Sequence, residues 1–154
     1  MTRTIEDELN ELFLKLFKMF ARFEYALKAA GYHEGNGEAN PNWRKFAESI
    51  PDVFDNPSTT ELQTAINYLE QHPPKKQVVK DNVLEWKVSV PSTNLKSDLI
   101  LLYVRRVRNN LFHGGKFNDR WFAPERSQEL LCHSLTVLQA CLDASPEVKK
   151  AYEH

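Results

Sequence analysis

Apolar residues at positions 5, 9, 12, 16, 19, 23, 27 and 30 (Ile5, Leu9, Leu12, Leu16, Met19, Phe23, Leu27 and Ala30) recur every three or four residues. That is the period of a helix burying one stripe, and it predicts a long first helix that stops at Gly31. Phe13, Phe17 and Phe20 make a second row beside the first, so this helix should be covered on more than one side and sit centrally. Four residues further along that row stands Glu24. A carboxylate there is expected to be partly buried and to need a partner, for which an arginine is the natural choice.

Residues 31 to 42, GYHEGNGEANPN, are rich in turn formers and read as a loop in which His33 is solvated. A short helix is expected over 42 to 50, ended by Pro51, and another over 59 to 72, capped by Thr59 or Thr60 and stopped by Pro73 and Pro74. The period then changes. QVVKDNVLEWKVSV, 77 to 90, sets β-branched residues around an Asp-Asn pair, which suits a short hairpin or an extended arm. Trp86 within it reads as a core anchor in preference to a base-stacking platform.

Helical spacing resumes near Ser92 to Asn94 and runs to Phe112 or His113, with Ile100, Val104, Val107 and Leu111 as its core row and Gly114 and Gly115 as its stop. A last long helix should start around Pro124 and carry Leu130, Leu131, Leu135, Val137, Leu138 and Leu142. Residues 146 to 154 read as a short terminal turn. The pattern therefore predicts an all-α chain, a helical bundle of four to five main helices in one domain spanning 1 to 154, with its core over about 5 to 143. No internal repeat interrupts it.

Composition changes this picture little. The 154 residues are 42% hydrophobic and 27% charged, too apolar for disorder. No apolar run approaches the roughly 18 residues of a membrane span, and the acidic start MTRTIEDELN lacks the form of an export signal, so a cytoplasmic protein without membrane contact is expected. Cys132 and Cys141 lie nine apart in one helix and so on opposite faces, which predicts two buried, unpaired thiols. Neighbouring residues diverge by about 100° on a helix, so Cys132 and His133 make no nucleophile and base. No His, Cys and carboxylate cluster has metal-ligand spacing, and no cofactor is expected.

Charge is more telling in its distribution than in its sum. Residues 101 to 120 hold Arg105, Arg106, Arg108, Lys116 and Arg120 against Asp119 alone, a local +4 within a chain whose net charge is −1. Such a patch on a mildly acidic body suits local binding of a polyanion. Within it lies RRVRNNLFHGGK, 105 to 116. Asn109 and His113, four apart, share a helix face with Arg106, whereas Arg108 is five before His113 and so about 140° away. A cation, an amide and an imidazole are thereby gathered at a helix end. Imidazole exchanges its proton near neutral pH, and a guanidinium holds phosphate oxygens and charge developing on them. Gly114 and Gly115 would admit a substrate backbone closely. The same residues also suit a plain helix end, with the imidazole capping carbonyls and the arginines solvated.

RNNLFH, 108 to 113, has the order Arg, polar residue, three variable residues, His, and it resembles the motif of the HEPN superfamily of small helical bundles. The longer RNNLFHGGK with its apolar helix, and the FEYAL segment of the first helix, are similar to that family as well, and the resemblance spans residues 5 to 143. It implies an HEPN-like up-and-down bundle acting as a metal-independent endoribonuclease. It further implies a homodimer in which two copies of the motif face one cleft, so that groups 140° apart on one helix converge from two. The RNA 2′-hydroxyl would attack its own phosphate to leave a 2′,3′-cyclic phosphate and a 5′-hydroxyl. His113 would move protons, Arg108 would hold the phosphate, and Asn109 would position substrate or histidine. Glu24, Arg105, Asn110 and Lys116 would support the site or contact RNA. The resemblance also implies a role as a toxin or anti-phage component, with an antitoxin partner of nucleotidyltransferase or other type. The alternative is a non-catalytic helical dimer that binds RNA, nucleotide or a partner protein through the same cleft.

Overall fold

The computed structural model describes residues 2–112, 116–117, 120–121 and 123–154, with side chains described outside 116–122. Seven helices are present among them: α1 (Ile5–Ala29), α2 (Trp43–Ser49), α3 (Pro51–Asp55), α4 (Thr60–Gln71), α5 (Lys96–Phe112), α6 (Pro124–Ala144) and α7 (Pro146–Glu153). Two antiparallel strand pairs join them, β1 (Lys76–Lys80) with β2 (Val83–Lys87) and the two-residue β3 (Lys116–Phe117) with β4 (Arg120–Trp121). The chain is mostly helical and is compatible with an all-α bundle. No described helix is long and apolar enough to cross a membrane.

The long first helix forms where its spacing places it, and both ends are chemically closed. At the start, Thr4 Oγ1 accepts from Asp7 N–H while the Asp7 carboxylate accepts from Thr4 N–H, each at 3.2 Å, a reciprocal capping box. At the other end Gly31, at φ +96°, lets Tyr32 N–H reach Leu27 O at 2.8 Å and Gly31 N–H reach Lys28 O at 3.3 Å. That double bond is a Schellman closure, and it delivers the Tyr32 ring edge-on to Phe46 at 5.4 Å. Side chains at 9, 16, 19, 20, 23, 26 and 27 are buried, so two adjacent faces of α1 are covered, by α6 on one side and α7 on another.

α5 is the second axis of the core. Ile100, Leu101, Tyr103, Val104 and Val107 are buried, and its first turn is fastened to α2 by two polar links. Ser97 Oγ donates to Ala47 O at 2.7 Å, and the Arg44 guanidinium meets the Asp98 carboxylate at 2.8 Å. Asp98 is only 6% exposed, so this is a carboxylate whose burial is tolerable because a guanidinium reaches it. α6 packs its Leu131, Leu135, Val137, Leu138, Cys141 and Leu142 inward against α1 and α4.

Several expectations need correction. Pro51 does not merely end α2; it is the first residue of α3, where a missing N–H costs nothing and its fixed φ suits helix entry. The terminal turn is an eight-residue helix, α7, whose fully buried Val148 packs into the core. Its Tyr152 ring lies 5.2 Å from the Arg22 guanidinium carbon on α1. α5 starts at Lys96 and not at 92 to 94, since Thr93 Oγ1 accepts from Leu95 N–H in a turn that precedes the helix. Cys132 is exposed while Cys141 is fully buried, so only one of the two thiols is interior; burial pushes the Cys141 thiol far up. The β3–β4 pair had no counterpart in the pattern.

Phe46 is the best probe of the core, being fully buried with T-shaped contacts to Phe23 at 5.6 Å, Tyr32 at 5.4 Å and Trp43 at 6.3 Å. Phe46→Ala should cost about 3–5 kcal/mol. In thermal unfolding that is a fall of roughly 10 °C in Tm. Val79→Ser, on the exposed hairpin, should stay within about 0.5 kcal/mol of the parent. A Phe46→Ala protein as stable as the parent would contradict this packing.

Candidate anion-binding groove

Arg105, Arg108 and Asn109 stand at positions i, i+3 and i+4 of α5 and therefore share one face. That face looks onto aromatic rings supplied by two other helices. The Arg108 guanidinium carbon lies 4.6 Å from the centroid of Phe20 on α1, and that of Arg105 lies 5.6 Å from the ring of Trp43 on α2. The rings are themselves locked: Trp43 stacks on Phe23 at 5.3 Å and 12°, and meets Phe20 at 5.3 Å. Both guanidiniums thus rest on a rigid aromatic shelf, an arrangement whose attraction grows as water is removed.

The shelf also explains Glu24. Its partner is not an arginine but the indole of Trp43, whose Nε1–H donates to Glu24 Oε2 at 2.8 Å. This bond fixes the plane of the indole on which Arg105 lies, while the Glu24 charge acts on Arg105 through space. Burial pulls the Arg105 guanidinium below its usual value; Asp98 and Glu24 oppose that shift and Arg108 adds to it. Arg105 Nε and Arg108 Nε are both buried and meet no hydrogen-bond acceptor among the described residues. Buried donors of this kind are costly to leave unmade, and because both Nε atoms are shut off from solvent an anion in the groove would meet these arginines at another edge.

Between α5, the loop after α1 and the root of the hairpin runs a groove of about 720 Å³. It is lined by Arg105, Arg106, Arg108, Asn109 and Asn110 of α5, by Lys76 and Gln77 of β1, and by Glu24, Glu34 and Trp43 among others. Four cations face two carboxylates there. Five of the residues singled out from sequence, Glu24, Arg105, Arg108, Asn109 and Asn110, are gathered in this one place. His113, Gly114 and Gly115 lie outside the described residues, as does the side chain of Lys116. Groove contributors that the sequence did not single out include Lys76, Gln77, Glu34 and Trp43. Gln77 and Lys76 sit in a strand over 30 positions before the motif, and only the fold brings them to it.

Arg106 and Asn110 have a different task. One Arg106 Nη donates to Pro74 O at 3.2 Å and to Ser89 O at 2.6 Å, the two roots of the hairpin, and Asn110 Nδ2 donates to Lys75 O at 2.7 Å. These bonds tie the hairpin to the helix that carries the arginines. Burial lowers the Arg106 guanidinium below its usual value, opposed by Tyr103, whose ring lies 5.6 Å away.

Trp86 is not a core anchor. It is 42% exposed and, with Val107, Leu111, Leu130 and Leu131, lines a separate slot of about 280 Å³ on the other side of the hairpin root. A strand of a two-stranded hairpin has no third layer to bury it, which is why the tryptophan stays at the surface. Among the described residues there is no group of three or more His, Cys, Asp or Glu able to hold a metal ion. No protein-family model, no curated protein and no solved structure matches this chain.

The tie made by Arg106 is testable. Charge-assisted bonds to two carbonyls are worth about 1.5–3 kcal/mol. Arg106→Met should therefore speed hydrogen exchange of the hairpin amides, 76–80 and 83–87, by roughly ten-fold or more. Exchange in the buried part of α6 should be unchanged. Equal hairpin protection in both proteins would show that the arginine does not hold the arm.

Proposed function

We propose that the chain is a metal-independent endoribonuclease of the HEPN type that works as a homodimer. The observation that carries this reading is the gathering of Arg105 and Arg108, over the aromatic shelf, with Asn109 in one basic groove, on the helix that leads in sequence into His113. Arg108, a permanent cation lining the groove, is suited to the phosphate and to the charge that grows on its oxygens as the 2′-hydroxyl attacks. His113 takes the proton from that hydroxyl or returns one to the departing 5′-oxygen, and Asn109, exposed beside Arg108, positions substrate. The products are a 2′,3′-cyclic phosphate and a 5′-hydroxyl, with no metal needed to balance the step. In a cell such an activity suits a toxin or an anti-phage component held in check by an antitoxin protein.

The second copy has a surface available to it. Leu14, Phe17, Ala21 and Tyr25 repeat at i, i+3, i+7 and i+11 along the outer face of α1, with Leu14 50%, Phe17 43% and Tyr25 61% exposed. An apolar stripe of this kind on a water-facing helix supports an interface. Phe17 adjoins Arg108 in a small recess, so a partner seated on the stripe would stand close to the motif. A second reading, a dimer that binds RNA, nucleotide or a protein without cutting, is favoured by the four cations that line the groove, since those call for an anion and not for a reaction.

Cleavage of RNA in EDTA decides between the two. The parent should generate cyclic-phosphate ends, and both His113→Ala and Arg108→Ala should lower the rate at least about 100-fold while remaining folded, the size expected for loss of a proton-transfer or charge-stabilising group. A parent that binds RNA without ever producing such ends establishes the binding module instead. The solution mass should be twice the 17.9 kDa of one chain. Phe17→Asp should return it to a single chain mass, and a parent that is monomeric at all concentrations would remove the two-copy site.

A further inference from the structure

The β1–β2 hairpin separates charge between its faces. Its two-residue turn, Asp81 and Asn82 at φ 51° and 65°, is of the kind whose twist matches paired strands, and it sets the register Lys76↔Lys87, Val78↔Glu85 and Lys80↔Val83. Side chains alternate along a strand, so Lys76, Lys80 and Lys87 share one face with Glu85 as the sole carboxylate, while Gln77, Val79, Leu84 and Trp86 share the other with no charge at all. Lys76 and Lys87 are directly opposed. Like charges in that position weaken a hairpin, and none of the ion pairs among the described residues involves Lys76, Lys80 or Lys87.

The lysine face begins at the anion-binding groove, which the strand meets at its edge: Lys76 lines it together with Gln77 of the opposite face, and only the lysine side carries charge onward along the hairpin. It is also held in place, since Arg106 and Asn110 bind the roots of the hairpin to α5. From Lys76 to Lys80 the face extends about 13 Å beyond the groove. A row of exposed cations, mutually repelling when unoccupied and leading out of a basic groove, is complementary to a chain of phosphates and not to an isolated one.

We propose that the face carrying Lys76, Lys80 and Lys87 binds the sugar–phosphate backbone of single-stranded RNA on its way out of the groove, so that affinity rises with substrate length. This rests on the RNA reading of the groove and adds the hairpin as an extended backbone track. The bonds involved are ionic, without preference among bases.

The test is fluorescence anisotropy with 2′-O-methyl RNA, which lacks the attacking hydroxyl, in lengths of about 20 and about 4 nucleotides. Lys80→Ala with Lys87→Ala should weaken binding of the long strand at least ten-fold and that of the short strand less than two-fold. It should also make the dependence of log Kd on log salt shallower by about 1.4 for the long strand, two contacts at about 0.7 each. Val79→Ser with Leu84→Ser, on the other face, should leave long-strand binding within two-fold. The inference is overturned if the lysine pair changes neither affinity nor salt slope, as it would if this face served a protein partner. It is overturned equally if both lengths lose affinity alike, or if the apolar face carries the effect. A parent that binds neither length removes the RNA reading together with the track; a parent that still cuts RNA while the lysine pair is silent removes the track alone.

Discussion

Two arginines of α5 lying on the rings of Phe20 and Trp43 constrain everything near the groove. A guanidinium over an aromatic face gives up water on that side and gains the attraction of the ring quadrupole in return. For this to hold, the rings must not move. The protein secures them by stacking Trp43 on Phe23, by pinning its indole nitrogen to Glu24, and by burying both in the contact between α1 and α2. The core and the candidate site are therefore the same structure seen from two sides, and a loss of packing beneath the shelf would be felt first as a loss of alignment above it.

α5 transmits this order outward. Its first turn is fixed to α2 through Ser97 and the Arg44–Asp98 pair, its middle is buried, and its last turns hold the hairpin through Arg106 and Asn110. Adjacent arginines on one helix thus divide their labour by helical angle. Arg105 and Arg108 turn toward the shelf, while Arg106, about 100° around from Arg105, turns toward the hairpin roots. The proposed chemistry needs the first two to stay available for an anion, and the third frees them from any structural duty toward the arm.

Legibility from sequence followed the range of the interaction. α1, α5 and α6 were readable because burial of one helical face repeats every three or four residues, and the Asp-Asn turn with its flanking β-branched residues announced the hairpin. Local chemistry misled where one residue can do two things: Pro51 served as the start of α3 as well as the end of α2, and Trp86, apolar enough for a core, had no core to enter. Glu24, Arg105, Arg108, Asn109 and Asn110, named from separate parts of the sequence, line one groove, but the reason for it was out of reach. Trp43 as the partner of Glu24, Asp98 as the partner of Arg44, and Lys76 at the groove edge are contacts between residues far apart in sequence, and no spacing rule encodes them.

The most direct test of the shelf as an anion seat is the pair of Arg105 and Arg108 Nε–H signals in a nitrogen-edited NMR titration with 2′-O-methyl RNA. Both arginines line the groove, so these signals should shift together and saturably as a phosphate settles beside the guanidiniums, although the Nε atoms themselves are shut off from solvent. Those of Arg3 and Arg22, which belong to other contacts, should stay in place. Signals of Arg105 and Arg108 that remain still while RNA demonstrably binds elsewhere would contradict the account.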